Sequence, residues 1–336
     1  MGERIAMGHR AGLSTASLLL RGAVLYVAAL TAARPATAPI MSDDVASLDA
    51  LRREIDAIDA ALHDQVMRRA AVMQAVARSK DVAEAGSAAV LRPGREATVL
   101  RRLIRRHSGS LPVAVVARIW RELMSSAAAL QAPLRVAVCA PSHSVAYFDL
   151  ARSHFGSSTP MTLHRSASVV LRAISENPGT IGLLPLPQEG ESDPWWPALV
   201  VEEQTGQTPR VVWRLPFFEA PGARFENLAA LAVAVAQPEE TEADGTLLAL
   251  ETAQTLSRAR LRELLRVQGF GERILAGHEE SGHRLTLLEL DGFVRREDDR
   301  LQTVLRGLGE ELFRSSILGS YPVPLGPSGA MRERAT

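Results

Sequence analysis

The sequence predicts a multidomain protein with an all-α N-terminal domain of three helices, then an α/β domain and finally an α+β domain. Apolar residues recur three or four positions apart from residue 48 to residue 80, which is the spacing of a long amphipathic helix. After residue 131, short apolar runs separated by Gly, Pro and Ser alternate with helical stretches, which is typical of α/β structure. At 336 residues and 46% hydrophobic composition, the chain suffices for two or three packed domains.

The first helix carries two cations on a face that should be buried. Its apolar seam consists of Leu51, Ile55, Ile58, Leu62 and Val66. Arg69 and Lys80 continue the same register, and because unpaired charges are unfavourable in an apolar core, they predict a bound anion. They are eleven positions apart, which places them on one face about 16 Å apart, within reach of one small molecule. The alternative is that both extend to solvent or pair with acidic neighbours.

Arg52 lies on the same helix but in a different direction. It precedes Arg69 by seventeen positions, about 25 Å along the helix and about 100° around it. It therefore cannot reach the same ligand within one chain. If Arg52 belongs to the site, it comes from a second, antiparallel copy of the helix, which implies an intertwined dimer.

Two shorter helices are predicted to follow. The segment LRPGREATVLRRLI has the proline and glycine expected before a helix start, with Arg92, Arg95 and Glu96 in or near the first turn. An acidic residue also suits the positive end of the helix dipole, so Glu96 has a purely structural explanation as well. The third helix is expected from about residue 112 to residue 131, with polar Gln131 on its apolar stripe. The stripe consists of Trp120, Met124, Ala127 and Gln131.

These segments together resemble the all-helical AroQ class of chorismate mutases. The resemblance rests on LDALRREIDAIDAALHDQVMRRAAVMQAVARSK, then RPGRE, then IWRELMSSAAALQ. The opening LRREID alone is unspecific, whereas the ordered set of cations, Glu96 and Gln131 is specific. The resemblance implies a helical domain over residues 44–132, a homodimer with swapped helices, and conversion of chorismate to prephenate without cofactor or metal.

The resemblance also assigns roles to these residues. Arg69 and Arg52 of the partner subunit would bind the two substrate carboxylates, for which a guanidinium group is well shaped. Lys80 and Gln131 would flank the ether oxygen, so Lys80, Gln131 and Arg69 are the candidate catalytic residues. Glu96 would accept a hydrogen bond from the ring hydroxyl.

Two further positions of the implied substrate site depart from the family pattern. Arg92 stands where an acidic residue can occur, and Ala127 stands where serine is usual. Loss of one hydroxyl removes a hydrogen bond worth about 0.5–1.5 kcal/mol, which predicts weakened rather than abolished activity. Arg95 is expected to support the site from behind the substrate-binding residues.

Residues 134–238 resemble a prephenate dehydratase domain, with important differences. PLPQEGES stands at residues 185–192 where that family has an acidic-Asn-Ser motif, and Ala229, Ala230 and Leu231 stand where it has catalytic Thr-Arg-Phe. These three side chains cannot donate a proton to a leaving hydroxyl. Arg224 and Phe225 offer a shifted remnant, but without a threonine. We therefore expect a dehydratase-like fold that has lost its reaction.

Residues 243–324 resemble an ACT regulatory domain with a βαββαβ order. GTLLALE and RLTLLELDGF are the predicted strands, ETAQTLSRARLRELLRVQG is a predicted helix, and the segment LGSYP is the most family-like piece. AQTLSRARL and HEESGHR replace the effector motifs, of which only Glu280-Ser281 remains, and this argues against phenylalanine binding. The tail, residues 325–336, is predicted to be disordered.

Composition limits the partners and the compartment. Lys plus Arg equals Asp plus Glu at 38 each, so no basic field predicts nucleic-acid binding. Cys139 alone can form neither an intrachain disulfide nor a zinc site, and its apolar run LRVAVCA favours a buried strand. Residues 1–41 hold an apolar stretch too short and broken to span a membrane. It is either an export signal or an over-extended start before Met41, and the second interpretation predicts a cytoplasmic protein.

The sequence thus favours a chorismate mutase whose activity resides in the helical domain. Two alternatives remain: a bifunctional mutase and dehydratase that uses unrecognised residues, and a non-catalytic regulatory protein that binds a metabolite. Retention of Arg69 and Lys80 on one seam favours catalysis, because a binding-only protein has less physical reason to keep both.

Overall fold

The computed structural model describes residues 47–79, 90–141, 145–177, 179–201, 206–218, 228–280 and 282–326. Lys80, Arg224, Phe225 and Ser281, the leader over residues 1–41 and most of the predicted tail lie outside the described residues. The chain divides into two compact units, one up to His63 and one from Asp64 onward.

Among the described residues, the N-terminal region contains the three helices that the sequence predicts: α1 (Leu48–Ser79), α2 (Pro93–Arg105) and α3 (Val113–Ala129). Helix α2 begins at its proline, with acidic Glu96 in the first turn and arginines in the last, and both placements suit the helix dipole. Its apolar face, including Ala97 and Leu100, is buried.

The seam of α1 differs from the prediction of a buried face. In the single chain Leu51, Ile55, Ile58 and Leu62 of this seam are between 45% and 58% exposed, and Val66 is half-buried. The 3.6-residue period therefore predicts the helix correctly, but it does not identify what covers the apolar face.

A mixed sheet follows the helices, built from alternating strands and helices. Its first part contains β1 (Arg135–Cys139), α4 (Val145–Phe155), β2 (Met161–His164), α5 (Ala167–Glu176), β3 (Thr180–Pro185), β4 (Arg210–Leu215) and β5 (Ala230–Ala234). β1 pairs in parallel with β2 and β3, while β5 pairs antiparallel with β3 and β4. Cys139 is buried at the end of β1, as expected.

The remaining elements have the predicted βαββαβ order. They are β6 (Asp244–Ala253), α6 (Arg258–Val267), β7 (Glu272–Glu280), β8 (His283–Asp291), α7 (Asp299–Leu308) and β9 (Leu312–Pro322). Their apolar faces form one core, in which Leu265 of α6 and Val304 of α7 pack with Leu248 and Leu288 of the sheet.

The nine strands found in the described segments belong to one sheet, in the order β2-β1-β3-β5-β4-β9-β6-β8-β7. Its two parts join where β4 runs parallel to β9, with Val211 opposite Gly319. A Cβ added at Gly319 would lie 2.1 Å from the Val211 carbonyl oxygen, and the Gly319 φ of +146° also favours glycine. Beside this junction, buried Glu289 of β8 accepts hydrogen bonds from Arg214 of β4 and Arg273 of β7.

Within the described part of the chain, no helix is long and apolar enough to cross a membrane.

Candidate active site

Arg69 is the seam cation that contacts another helix. Its Nη1 donates a hydrogen bond of 2.9 Å to the carbonyl oxygen of Leu123 in α3. The residue is half-buried, and burial lowers the pKa of its guanidinium below the ordinary value. The Leu123 carbonyl lies one helical turn before Ala127 in α3, whereas Gln131 lies in the turn just after Ala129, where α3 ends.

Gln131 lies in the turn after α3 and contacts the backbone of Ala127. The Gln131 Nε2 donates to the Ala127 carbonyl oxygen at 3.0 Å, and the Ala127 side chain is buried. A hydrogen bond from a side chain to a backbone carbonyl four residues earlier can be exchanged for one to a ligand by a single rotamer change. The amide of Gln131 can therefore turn towards a ligand.

Glu96 faces a cation that the sequence analysis did not select. Nη1 of Arg121 donates to Glu96 Oε2 at 2.6 Å, and Arg121 is only 6% exposed. Burial raises the pKa of Glu96, and the charge of Arg121 opposes that shift. A signal for Arg121 exists in the sequence, because it lies on the same helical stripe as the buried residues Ala117 and Met124.

Arg121 is held on its other sides by aromatic rings. Its Nη2 lies 2.8 Å from His154 Nε2, and its guanidinium carbon lies 4.6 Å from the centroid of the Trp213 ring. Burial, with the charge of Arg121, holds the pKa of His154 well below its ordinary value, so the imidazole is neutral and can accept the hydrogen bond. The adjoining cavity of about 30 Å³ holds little more than a water molecule.

Arg92 and Arg95 lie at the start of α2, where both contact Glu239. Nε and Nη2 of Arg92 donate to one Glu239 oxygen at 2.8 and 2.6 Å, and the Arg95 backbone N–H donates to the other at 3.1 Å. The Arg95 side chain itself is exposed. A Cβ at Gly94 would lie 2.7 Å from Glu239 Cβ, so glycine allows this close approach.

Arg52 is on the surface of α1, where its Nη1 is 3.3 Å from Asp49 Oδ1. The structure thus places the predicted residues in separate groups. Arg69 of α1 contacts α3 at Leu123, and Gln131 contacts Ala127 at the end of α3. Glu96 pairs with Arg121, and Arg92 pairs with Glu239. Lys80 lies outside the described residues.

The class of the helical region follows from its comparison with known families. Residues 51–132 match the family model described as chorismate mutase type II, which agrees with the resemblance read from the cation pattern. The N-terminal helical region is therefore a chorismate mutase domain by sequence.

Individual proteins that the chain matches have names that combine two activities. Over 150 residues the chain is 34% identical to a "bifunctional chorismate mutase/prephenate dehydratase" of Pseudomonas aeruginosa, covering 44% of this chain and 41% of that protein. Over 146 residues it is 35% identical to a protein of the same description from Stutzerimonas stutzeri, covering 43% and 40%. The chain thus spans about two fifths of the length of these relatives.

Among solved structures, the chain is similar to a prephenate dehydratase from Streptococcus mutans. The TM-score is 0.40 at 15% identity, covering 57% of this chain and 98% of that one.

Proposed function

We propose that this protein is a chorismate mutase, an isomerase that converts chorismate to prephenate in aromatic amino-acid biosynthesis. The observation that carries the proposal is the match of residues 51–132 to the type II mutase family, together with the inward position of Arg69. The reaction breaks one carbon–oxygen bond while it forms one carbon–carbon bond within the same molecule. It therefore requires neither a nucleophile nor a proton relay.

The work of such a site is conformational and electrostatic. It must hold a flexible dianion in a compact chair-like conformer and place positive charge where negative charge grows on the ether oxygen. In our proposal Arg69 of one subunit and Arg52 of the partner subunit bind the two carboxylates of the substrate. Lys80 and Gln131 flank the ether oxygen. Glu96 accepts a hydrogen bond from the ring hydroxyl of the substrate. The half-buried guanidinium of Arg69 supports this, because charge acts more strongly where water is partly excluded.

The exposed seam of α1 supports a homodimer. Large aliphatic side chains at helical spacing rarely form an exposed stripe in a stable monomer. A second copy of α1 would cover the stripe and would also supply Arg52, which is exposed. Sedimentation equilibrium should give a dimer, and Ile58→Asp should dissociate it. Gln65→Asp, which adds the same charge at an exposed polar position, should leave the dimer intact.

The test of catalysis is the loss of chorismate absorbance with purified protein. Arg69→Ala and Lys80→Ala should each reduce kcat/KM by about 100-fold or more, the usual effect of losing a transition-state charge contact. Arg68→Ala removes an exposed cation next in sequence and should change little. Unchanged turnover in both site variants, with the dimer intact, would contradict the assignment. No loss of chorismate with the wild-type protein would instead favour the metabolite-binding alternative.

We further propose that the protein catalyses the mutase reaction but not the dehydratase reaction. Ala230 and Leu231 are fully buried in β5 between β3 and β4, and neither side chain can donate a proton. The names of the relatives favour the bifunctional alternative. An assay of phenylpyruvate without acid treatment separates the two: prephenate should accumulate, whereas enzymatic phenylpyruvate would establish a dehydratase.

We infer a cytoplasmic location from the use of cysteine, because Cys139 is buried and forms no intrachain disulfide. Fractionation of cells that express the full chain tests this location. Recovery of the protein outside the cytoplasmic fraction would support the export alternative.

A further inference from the structure

A second and much larger cavity lies beside the junction of β4 and β9. Its volume is about 500 Å³, which falls in the range of small-molecule sites. Its lining comes from β4, β6, α7, β9 and the loops around residues 238 and 295. None of the described lining residues belongs to α1, α2 or α3, so the cavity is separate from the proposed mutase site.

The wall of this cavity is fixed by the sheet. Arg210 and Ser320, which both line the cavity, are the direct neighbours of Val211 and Gly319. The close backbone approach at Gly319 fixes the spacing of these two strands. The Ser320 hydroxyl lies 2.9 Å from that of Thr246, which holds it in place. The polar groups are therefore presented by rigid elements.

Arg210 is the main electrostatic feature of the cavity. Among the residues that the structure describes, no carboxylate lies within ion-pair distance of it, and its buried Nε has no hydrogen-bond partner. Burial lowers the pKa of its guanidinium. A partly desolvated cation without a counter-ion is unfavourable, and an anionic ligand would remove this penalty.

The described side chains that line the cavity carry a net positive charge. Arg295 pairs with Glu240 at 2.9 Å, so these two neutralise each other. Arg296 and Glu297, both exposed, also line the cavity and balance in charge. Within the described lining, Arg210 therefore provides one positive charge that is not balanced.

The rest of the cavity is suited to an apolar group. Aliphatic side chains from β6, α7 and β9 line one part of it. They are Leu248, Leu301, Leu305 and Ile317. Apolar walls with a few convergent polar groups are the usual composition of a site for a small organic molecule.

We propose that this cavity binds a small organic molecule with one carboxylate and a compact apolar body. The carboxylate pairs with the guanidinium of Arg210, whose fork suits two carboxylate oxygens, and the apolar body contacts Leu301 and Ile317. The site is additional to the proposed mutase activity and does not depend on it.

The test is calorimetric titration of the full chain with phenylacetate and with phenylacetamide, which has the same shape but no charge. Phenylacetate should bind at least tenfold more tightly than the amide, the effect expected for one charged hydrogen bond. No binding of phenylacetate, or equal binding of the two probes, would overturn the proposal.

Variants and exchange measurements locate the site. Arg210→Met should weaken phenylacetate binding at least tenfold, whereas Arg172→Met, at an exposed arginine of α5, should leave it unchanged. Circular dichroism checks that both variants fold. Hydrogen exchange on the wild-type chain gives an answer even if Arg210→Met does not fold. Phenylacetate should protect residues 293–297 and 315–320, and protection confined to other segments would refute this location.

Discussion

Two carboxylates in this protein are withdrawn from water in different ways. Glu289 of β8 is fully buried and receives hydrogen bonds from Arg214, Arg273 and the Tyr321 hydroxyl. The side chain of Glu96 in α2 is 22% exposed and is bonded by Arg121 beside a small cavity. A carboxylate accepts about four hydrogen bonds. Burial of a charge therefore does not by itself identify a site, since Glu289 is accounted for by the fold, whereas Glu96 retains acceptor capacity for a ligand.

The largest effect should come from breaking the Glu289 cluster. Glu289→Leu leaves two arginines facing an apolar side chain and should lower the free energy of unfolding by about 3–5 kcal/mol. Urea unfolding followed by circular dichroism measures the loss. Glu279→Leu is a matched control on neighbouring β7, since Glu279 is exposed and pairs with Arg284 at the surface. It should cost less than about 1 kcal/mol, and equal losses would remove the contrast.

A smaller loss should follow from removing Arg121. Arg121→Met leaves Glu96 without this partner, but that carboxyl is partly exposed and can be hydrated or take up a proton. We therefore expect a decrease of about 2–3 kcal/mol in the free energy of unfolding, together with a higher KM for chorismate. If Arg121→Met destabilises the fold more than Glu289→Leu, then the Glu96 pair is a structural element and the comparison fails.

The pH dependence of stability tests the neutral imidazole beside Arg121. The pKa of His154 in the folded protein lies well below its ordinary value of 6.5, so the unfolded chain takes up a proton there first. The contribution of His154 to the free energy of unfolding is therefore complete above about pH 6.5. It should fall as the pH is lowered below that value, by up to about 1.4 kcal/mol per pH unit. His154→Gln should flatten the profile between about pH 7.5 and pH 5.5. A profile unchanged by His154→Gln would contradict this prediction.

The smallest effect on stability is expected at Glu239. Its pair with Arg92 is partly exposed, so Glu239→Gln should change the free energy of unfolding by less than about 1 kcal/mol. If Arg92 contacts the substrate, as the family resemblance implies, then freeing its guanidinium from Glu239 should lower the KM for chorismate about two- to threefold. Glu242→Gln breaks the pair with Arg105 in the same segment and should leave KM unchanged. Equal KM values for all three proteins would remove Arg92 from the proposed site.

The fold was largely predictable because its signals are local. The apolar period of α1 and the strand and helix runs of the βαββαβ region each lie within a few consecutive residues, and the structure has elements at those places. The class of the helical region was predictable for the same reason, since its cations follow one helix.

The surroundings of the candidate site were not predictable, because they depend on contacts between distant segments. Glu239 is 147 residues from Arg92, and His154 is 33 residues from Arg121. No periodic pattern encodes such pairs. Arg121 alone has a local signal, as a cation on a buried stripe of α3, but it is not one of the residues that carry the family resemblance.

Gly319 has a consequence for how the protein unfolds. It is the residue of β9 opposite Val211, where a five-stranded part of the sheet meets a four-stranded part. A methyl group at this position would collide with the Val211 backbone. Because an added methyl group would push β4 and β9 apart, Gly319→Ala should let the two parts of the sheet melt in separate transitions.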